Sequence, residues 1–458
     1  MNINQCVASL SIPLPEDILK KKWVGDLEGA VKAIDHRLQE DLPDMLRARL
    51  VCEKERIRRL PTQYPWNRAQ ALEKLQELVP GMTGEELDAW ELAGRVDFIY
   101  IGGEKRYFVR FHRSIAKYPE LVRRAGKEVS PNSPWLAPMI RTIREKGQLR
   151  RRITLETSLY VDREDFVPGE YLAHLPFPAV CAQQSDVRLL SGDPDGIGGE
   201  NAPARTAWWR RRLDEWQEFR MKYSYVSCIR YADPLHAPAP SEPLYPAVEP
   251  PCAADLAEEG PYIRFTPYLR ALADNITRGE TTAAGKAWRC YEFVTTKVKY
   301  SFMRDYFQID NLGEYCAVNL KGDCGLQALL FIILCRIAGV PARWQSGMSI
   351  DAEYAGSHDW AQFYLEGWGW LFADPSYGGG AYRNGSAERH AFYFGNLDPM
   401  RMVANRQFQA ELVPEMHALR VDPYDNQSGE MERIGAELPF TGRQLDGDAI
   451  LVAYEDLD

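Results

Sequence analysis

The sequence predicts a multidomain α+β chain: an N-terminal mainly helical region, an antiparallel β-sandwich, and an α+β core. Three observations carry that prediction. Apolar residues recur at helical spacing up to about residue 125, short β-rich stretches follow between Arg150 and Ala232, and one long apolar helix pattern, Leu326 to Ile337, then precedes two aromatic strand patterns. At 458 residues the chain has room for several domains. The expected boundaries are 1–149 for the helical region, 150–233 for the sandwich, 234–260 for a proline-rich linker, and 261–458 for the core with a C-terminal extension.

In the helical region, Leu14-Pro15-Glu16-Asp17 starts one helix, and Leu27 to Leu38 and Pro43 to Ile57 are amphipathic. Asn67 to Leu78 and Thr83 to Leu92 follow, the latter opened by the capping-box pattern Thr83-Gly84-Glu85-Glu86. Val96 to Ile101 and Arg106 to Phe111, joined across Gly102-Gly103, read as a hairpin. The region holds no chemical motif, so an accessory or interaction role is the default. In the sandwich, Arg152 to Val161, Ser185 to Leu190, Arg205 to Trp209 and Phe219 to Tyr231 read as strands, with Pro176-Phe177-Pro178 and the run Gly192 to Gly199 as turns. The run Pro234 to Pro251 supplies the linker composition.

Composition narrows the function classes. Hydrophobic residues make up 45% and charged residues 26%, as in ordinary globular proteins, and the net charge of −10 argues against nucleic acid or an anionic membrane as the main partner. The longest apolar stretch, Ala328 to Cys335, is too short to span a bilayer, and the first residues show neither a basic n-region nor a long apolar core. Nine scattered cysteines predict free thiols and a cytoplasmic location rather than a disulfide framework. No Cys-x-x-Cys occurs and the seven histidines do not cluster, so no metal site and no cofactor are expected.

The chemistry concentrates in three short runs. Gly322-Asp323-Cys324-Gly325 stands at the start of the apolar helix, whose end is marked by Ala338-Gly339-Val340-Pro341. A thiol in a first helical turn faces unsatisfied N–H groups and the positive end of the dipole, which favour the thiolate. Ser357-His358-Asp359-Trp360 opens a strand pattern, and Phe372-Ala373-Asp374-Pro375 closes the next. A nucleophilic thiol needs a base, and the base needs an anion to orient and charge-stabilise it. Cys324, His358 and Asp374 supply one of each. With the intervening loop centred on Glu366, residues 358 and 374 stand opposite each other, their Cβ atoms roughly 4.5–5.5 Å apart. Asp374 also suits a plain turn, and Asp359 points to the other strand face.

These runs resemble the core of the transglutaminase-like superfamily, relatives of the papain-like cysteine proteases, and so does Gly339-Val340-Pro341-Ala342-Arg343. The resemblance spans roughly Pro261 to Asn426. It implies a Cys324–His358–Asp374 triad doing acyl chemistry on a protein or peptide substrate. Hydrolysis of the protease, amidase or deamidase kind is expected, with protein-glutamine cross-linking as the alternative within enzymes and a non-catalytic scaffold as the alternative outside them. It also implies an oxyanion donor upstream of the nucleophile, for which Tyr315 and Asn319 are candidates. Trp344 and Trp360 are candidates for a substrate groove, although core packing is the commoner role for such residues, and Arg336, Arg343 and Arg401 suit structural ion pairs better than substrate anchoring. Gly378-Gly379-Gly380 reads as a flexible loop, and a polar tail follows.

Overall fold

The computed structural model describes residues 3–127, 134–246, 248–352 and 355–457. Helix and sheet are mixed along the chain. It divides into two compact units. The first comprises Met1–Ser130, Gly260–Tyr262 and Lys299–Asp323; the second comprises Pro131–Glu259, Ile263–Val298 and Cys324–Asp458.

The first unit is built from the helices that the apolar spacing requires, including Glu16–Trp23, Leu27–Arg37, Asp44–Gln63, Arg68–Leu78 and Gly84–Leu92. Thr83 and Glu86 form the expected capping box, and Asn67 with Gln70 forms a second. The helix Asp44–Gln63 buries charge as well as apolar surface. Glu53 is fully buried and accepts from Arg49 Nη1 at 2.5 Å, from Arg56 Nη1 at 2.8 Å and from Lys22. Burial would raise the Glu53 carboxyl, but the charges of Arg56, Lys22 and Arg49 outweigh it and hold the group at about 2. Cys6 and Cys52 are joined in a disulfide, which overturns the expectation of free thiols throughout. The pair, 46 residues apart, was invisible to short-spacing rules because the two helices bring it together. The thiol count therefore gives no argument for a reducing compartment. No helix among the described residues is long and apolar enough to cross a membrane.

In the second unit, the strands Gln148–Val161, Gly169–Pro176, Gln184–Ser191, Thr206–Leu213 and Phe219–Arg230 form two antiparallel sheets. Gly169–Pro176 escaped the alternation test because six consecutive residues, Tyr171 to Pro176, are buried. The C-terminal segment is no loose tail. Glu430–Arg433 extends one sheet against Gly169–Pro176, while Leu445–Asp446 and Ala449–Leu457 pair with Gln148–Val161.

Nine further elements of this unit form the centre of an α+β core, beside which the helix Pro267–Ile276 packs on the second of its helices. They are α1 (Ala283–Lys297), α2 (Cys324–Ile337), β1 (Ala342–Ile350), β2 (Ala355–Leu365), β3 (Gly369–Ala373), α3 (Pro375–Arg383), α4 (Ala387–Phe392), β4 (Phe394–Gly395) and β5 (Arg401–Asn405). The sheet order is β4-β3-β2-β1-β5. Helix α2 is buried from Gly325 to Arg336 and packs on β2 and α1. It stops at Gly339, whose φ of +82° is the left-handed cap that the sequence announced. The proline-rich run packs along the β2–β3 hairpin: Leu244 N donates to Trp368 O, and Trp370 Nε1 donates to Glu249 O.

Gly378-Gly379-Gly380 lies inside α3 rather than in a flexible loop. Close approach to α1 explains two of the glycines, since a Cβ at 378 would fall 1.8 Å from Tyr291 Oη and one at 379 would fall 3.2 Å from Thr295 O. Gly378→Ala should therefore destabilise the protein by about 1–3 kcal/mol in thermal unfolding, although Ala is the better helix former by about 1 kcal/mol. The disulfide gives a second expectation. Without reductant, Cys6 and Cys52 stay unmodified in denaturing alkylation read by peptide mass spectrometry. Cys6→Ser should lower stability by about 2–4 kcal/mol, the usual effect of opening a loop of this length.

Candidate active site

Cys324 opens α2, at a helix N-terminus that favours a thiolate, and the residue is partly exposed. Cys335, three turns along the same helix, is fully buried, and burial pushes its thiol well up. Position on the helix separates the two sulfurs chemically.

The β2–β3 register differs from the expected one. Leu365 pairs with Gly369 and Ala361 with Ala373, so the hairpin centres on Gly367 rather than Glu366. Positive φ angles at Gly367 (+79°) and Gly369 (+81°) make this turn, and Trp368 N closes it onto Leu365 O. His358 and Asp374 are thus not directly opposed: in this register position 374 faces position 360. The offset is two residues, which keeps both on one sheet face, and a diagonal gap of about 7–8 Å lies within reach of a long side chain. The imidazole closes it, with His358 Nε2 at 2.7 Å from Asp374 Oδ2.

Asp374 does two jobs at once. It leaves β3 as the N-cap of α3, with Pro375 at the first helical position, and its Oδ1 accepts from Tyr377 N at 2.9 Å. Its Oδ2 meets His358 and also Arg401 Nη2, at 3.1 Å. Burial alone would raise this fully buried carboxyl; the charges of His358 and Arg401 and the hydrogen bonds outweigh burial and hold it below the usual carboxylate range. His358 is also lowered, through burial first and the Arg401 charge second, against the opposing pull of Asp374. The pair therefore rests as carboxylate and neutral imidazole. With Nε2 taken by Asp374, Nδ1 is the nitrogen left for a thiol.

Two rings wall the imidazole. Tyr377 stands 4.8 Å from it, edge to face, and Trp360 lies 6.0 Å away, near parallel. Asp359 turns to the other strand face, where Gln427 Nε2 donates to its Oδ1. There Asp425 accepts from Ser346 Oγ and Asn405 Nδ2, which ties the C-terminal segment to β1 and β5.

The other sequence candidates sit as follows. Tyr315, in the first unit, is half-buried beside Arg304, with Arg304 Nη1 at 3.5 Å from its hydroxyl. Asn319 is exposed and donates to Tyr315 O. Trp344 and Trp360 are buried, the first against Phe408 and the second donating to Gln345 Oε1, so neither turns a face to solvent. Arg336 pairs with Glu259, and Arg343 stacks on Trp370. Arg401 has no such remote partner; it stands on Asp374. Sequence reasoning passed over this contact because Asp398-Pro-Met-Arg401 has no local mark of the site. The cap at Asp374-Pro375-Ser376-Tyr377 was legible, as Asp before Pro at a helix start.

Residues 270–375 match the transglutaminase-like superfamily, a span that contains Cys324, His358 and Asp374 and ends one residue beyond the last. This stretch of the chain is thus similar to the transglutaminase-like core. Among solved structures, a candidate cysteine protease from Cytophaga hutchinsonii is similar at 13% identity and a TM-score of 0.40, over 68% of this chain and 90% of that one. The periplasmic domain of TgpA from Pseudomonas aeruginosa is similar at 16% identity and a TM-score of 0.28, over 55% of this chain and 95% of that one. A candidate protease from Parabacteroides distasonis is similar at 10% identity and a TM-score of 0.20, over 49% of this chain and 40% of that one. No curated protein matches the chain.

The lowered imidazole gives a direct test. In Cys324→Ala, which removes the thiol from the titration, the His358 ring followed by NMR should titrate below its ordinary value of 6.5. A midpoint above 6.5 would contradict the balance of burial and charge described here. The sign for stability follows: the unfolded chain takes this proton before the folded one, so the imidazole's contribution is present above pH 6.5 and is lost as pH falls through the folded value.

Proposed function

We propose that the protein is a thiol enzyme that attacks amide carbonyls in a protein or peptide substrate and resolves the acyl intermediate with water. Cys324 Sγ adds to the carbonyl carbon and its proton passes to His358 Nδ1. His358 then gives that proton to the leaving amine as the C–N bond breaks, leaving a thioester on Cys324. Water attacks the thioester, His358 takes its proton and returns it to sulfur, and the carboxylic acid departs. Asp374 fixes the imidazole tautomer and stabilises its charged form. The backbone N–H of Cys324 at the start of α2 is the first oxyanion donor. The observation that supports this reading most is the buried 2.7 Å contact between His358 Nε2 and Asp374 Oδ2, on a strand packed against the helix that Cys324 opens.

The test is the rate of iodoacetamide alkylation at Cys324 against pH, in the wild type and in His358→Ala. The wild-type rate should persist well below the unperturbed cysteine value of about 8.5 and should be lost in the variant. Identical profiles near that value would sink the assembled triad. Amide cleavage of a peptide library should fall by about 100-fold or more in His358→Ala. Product formation that requires an added primary amine would replace hydrolysis with transamidation.

A further inference from the structure

Arg401 is fully buried on β5, and its surroundings are specific. Its Nη2 lies 3.1 Å from Asp374 Oδ2 and 2.7 Å from Asp398 Oδ2, and its Nε donates to Asp398 Oδ2 at 3.1 Å. Asp398 is itself held by Tyr393 Oη and Met400 N. The guanidinium carbon stands 4.0 Å from the centre of the Tyr377 ring and 5.8 Å from that of Trp360, the same two rings that wall His358. One side chain thus contacts the acid of the proposed site and both aromatic walls of its base. We propose that Arg401 is a positioning residue of the Cys324–His358–Asp374 site: it locks the Asp374 carboxylate and the rings around His358, and its charge sets the acid side of the pH range in which the thiol reacts. This rests on the triad reading above.

Stability alone explains Arg401 poorly. A buried ion pair seldom beats a well-packed apolar replacement, because desolvation offsets most of the attraction. Arg401 also leaves Nη1 buried without a partner, which adds a further penalty. A folding role would be met more simply by neutral side chains at 374, 398 and 401. A carboxylate that must stay ionised, hold one orientation and still accept from an imidazole needs a fixed cation on its flank, and a planar guanidinium supplies the charge together with a stacking face.

The titratable and charged groups that act on His358 are Asp374 at the end of β3, Tyr377 on α3, Asp398 before β5 and Arg401 on β5, with Tyr393 behind Tyr377 and Asp398. Arg401 disfavours the imidazolium, whereas Asp374 and Asp398 favour it. The two sides of the network therefore have opposite signs. Removing the Arg401 charge raises the pKa of every acid nearby, thiol or imidazolium, and removing the Asp398 charge lowers it.

The experiment is the pH profile of Cys324 alkylation in the full chain, in the wild type, Arg401→Met, Arg401→Lys, Asp398→Asn and His358→Ala. In Arg401→Met the acid limb should move to higher pH, and the plateau should fall about tenfold as Asp374 loses a charge-assisted partner. In Asp398→Asn the acid limb should move to lower pH. Arg401→Lys should keep a limb near that of the wild type with a reduced plateau, since charge survives and the planar contact does not. Loss of amplitude with an unmoved limb in both Arg401→Met and Asp398→Asn would make Arg401 structural only and overturn the proposal. Where Arg401→Met fails to fold, the direction of the Asp398→Asn shift and the Arg401→Lys limb decide it. A profile that His358→Ala leaves unchanged would instead sink the triad reading, so the two failures are distinguishable.

Discussion

The buried carboxylate of Asp374 is the constraint around which the core is arranged. An isolated ionised carboxyl in a protein interior is unsustainable; it must be paired and hydrogen-bonded or it takes up a proton. Here its two oxygens are met by the N-terminus of α3, by the imidazole of His358 and by the guanidinium of Arg401. Each partner comes from a different element, so one side chain ties β2, the end of β3, α3 and β5 together. The helix that Asp374 caps sits close on α1, which Gly378 and Gly379 permit, and it carries Tyr377 against His358.

The chemistry follows from how unevenly the charges are shared. Asp374 stays ionised because two positive or donating neighbours face it, while His358 stays neutral because burial and Arg401 together outweigh the carboxylate's pull. In the proposed reaction a neutral imidazole would take the thiol proton at the moment of attack, without holding a buried charge at rest. Asp374, Arg401 and Asp398 thus form one buried hydrogen-bonded network behind the imidazole. The position of Arg401 on an edge strand of the sheet makes that strand part of the site's electrostatics as well as of its architecture.

Much of the core could be read from the chain. The cap residues Thr83 and Gly339, the apolar helix after Cys324 and the aromatic hairpin before Asp374 all obey local rules, because capping, period and turn chemistry are decided within a few residues. The errors came where local rules compete. The hairpin centre moved by one residue because Gly367 and Gly369 take the left-handed angles that the turn needs, and the pairing of His358 with Asp374 survived only because the resulting offset preserved the sheet face. The glycine run looked like a loop because helix propensity penalises glycine. In the folded protein that intrinsic penalty of about 1 kcal/mol is smaller than the clash that any side chain at 378 would create.

The sequence by itself determined the order and type of the candidate site residues, the helix start at Cys324, and the cap chemistry that stations Asp374 at a helix N-terminus. These depend on neighbours within about one turn. Only the tertiary structure decided which carboxylate meets which nitrogen of His358, that Cys6 pairs with Cys52, that residues 430–457 close the sheets of the sandwich, and that Arg401 stands on Asp374. Those outcomes join residues from 16 to roughly 300 positions apart. No local propensity encodes such distances; burial does, by leaving each charge and strand edge only the partners that the packed core brings to it.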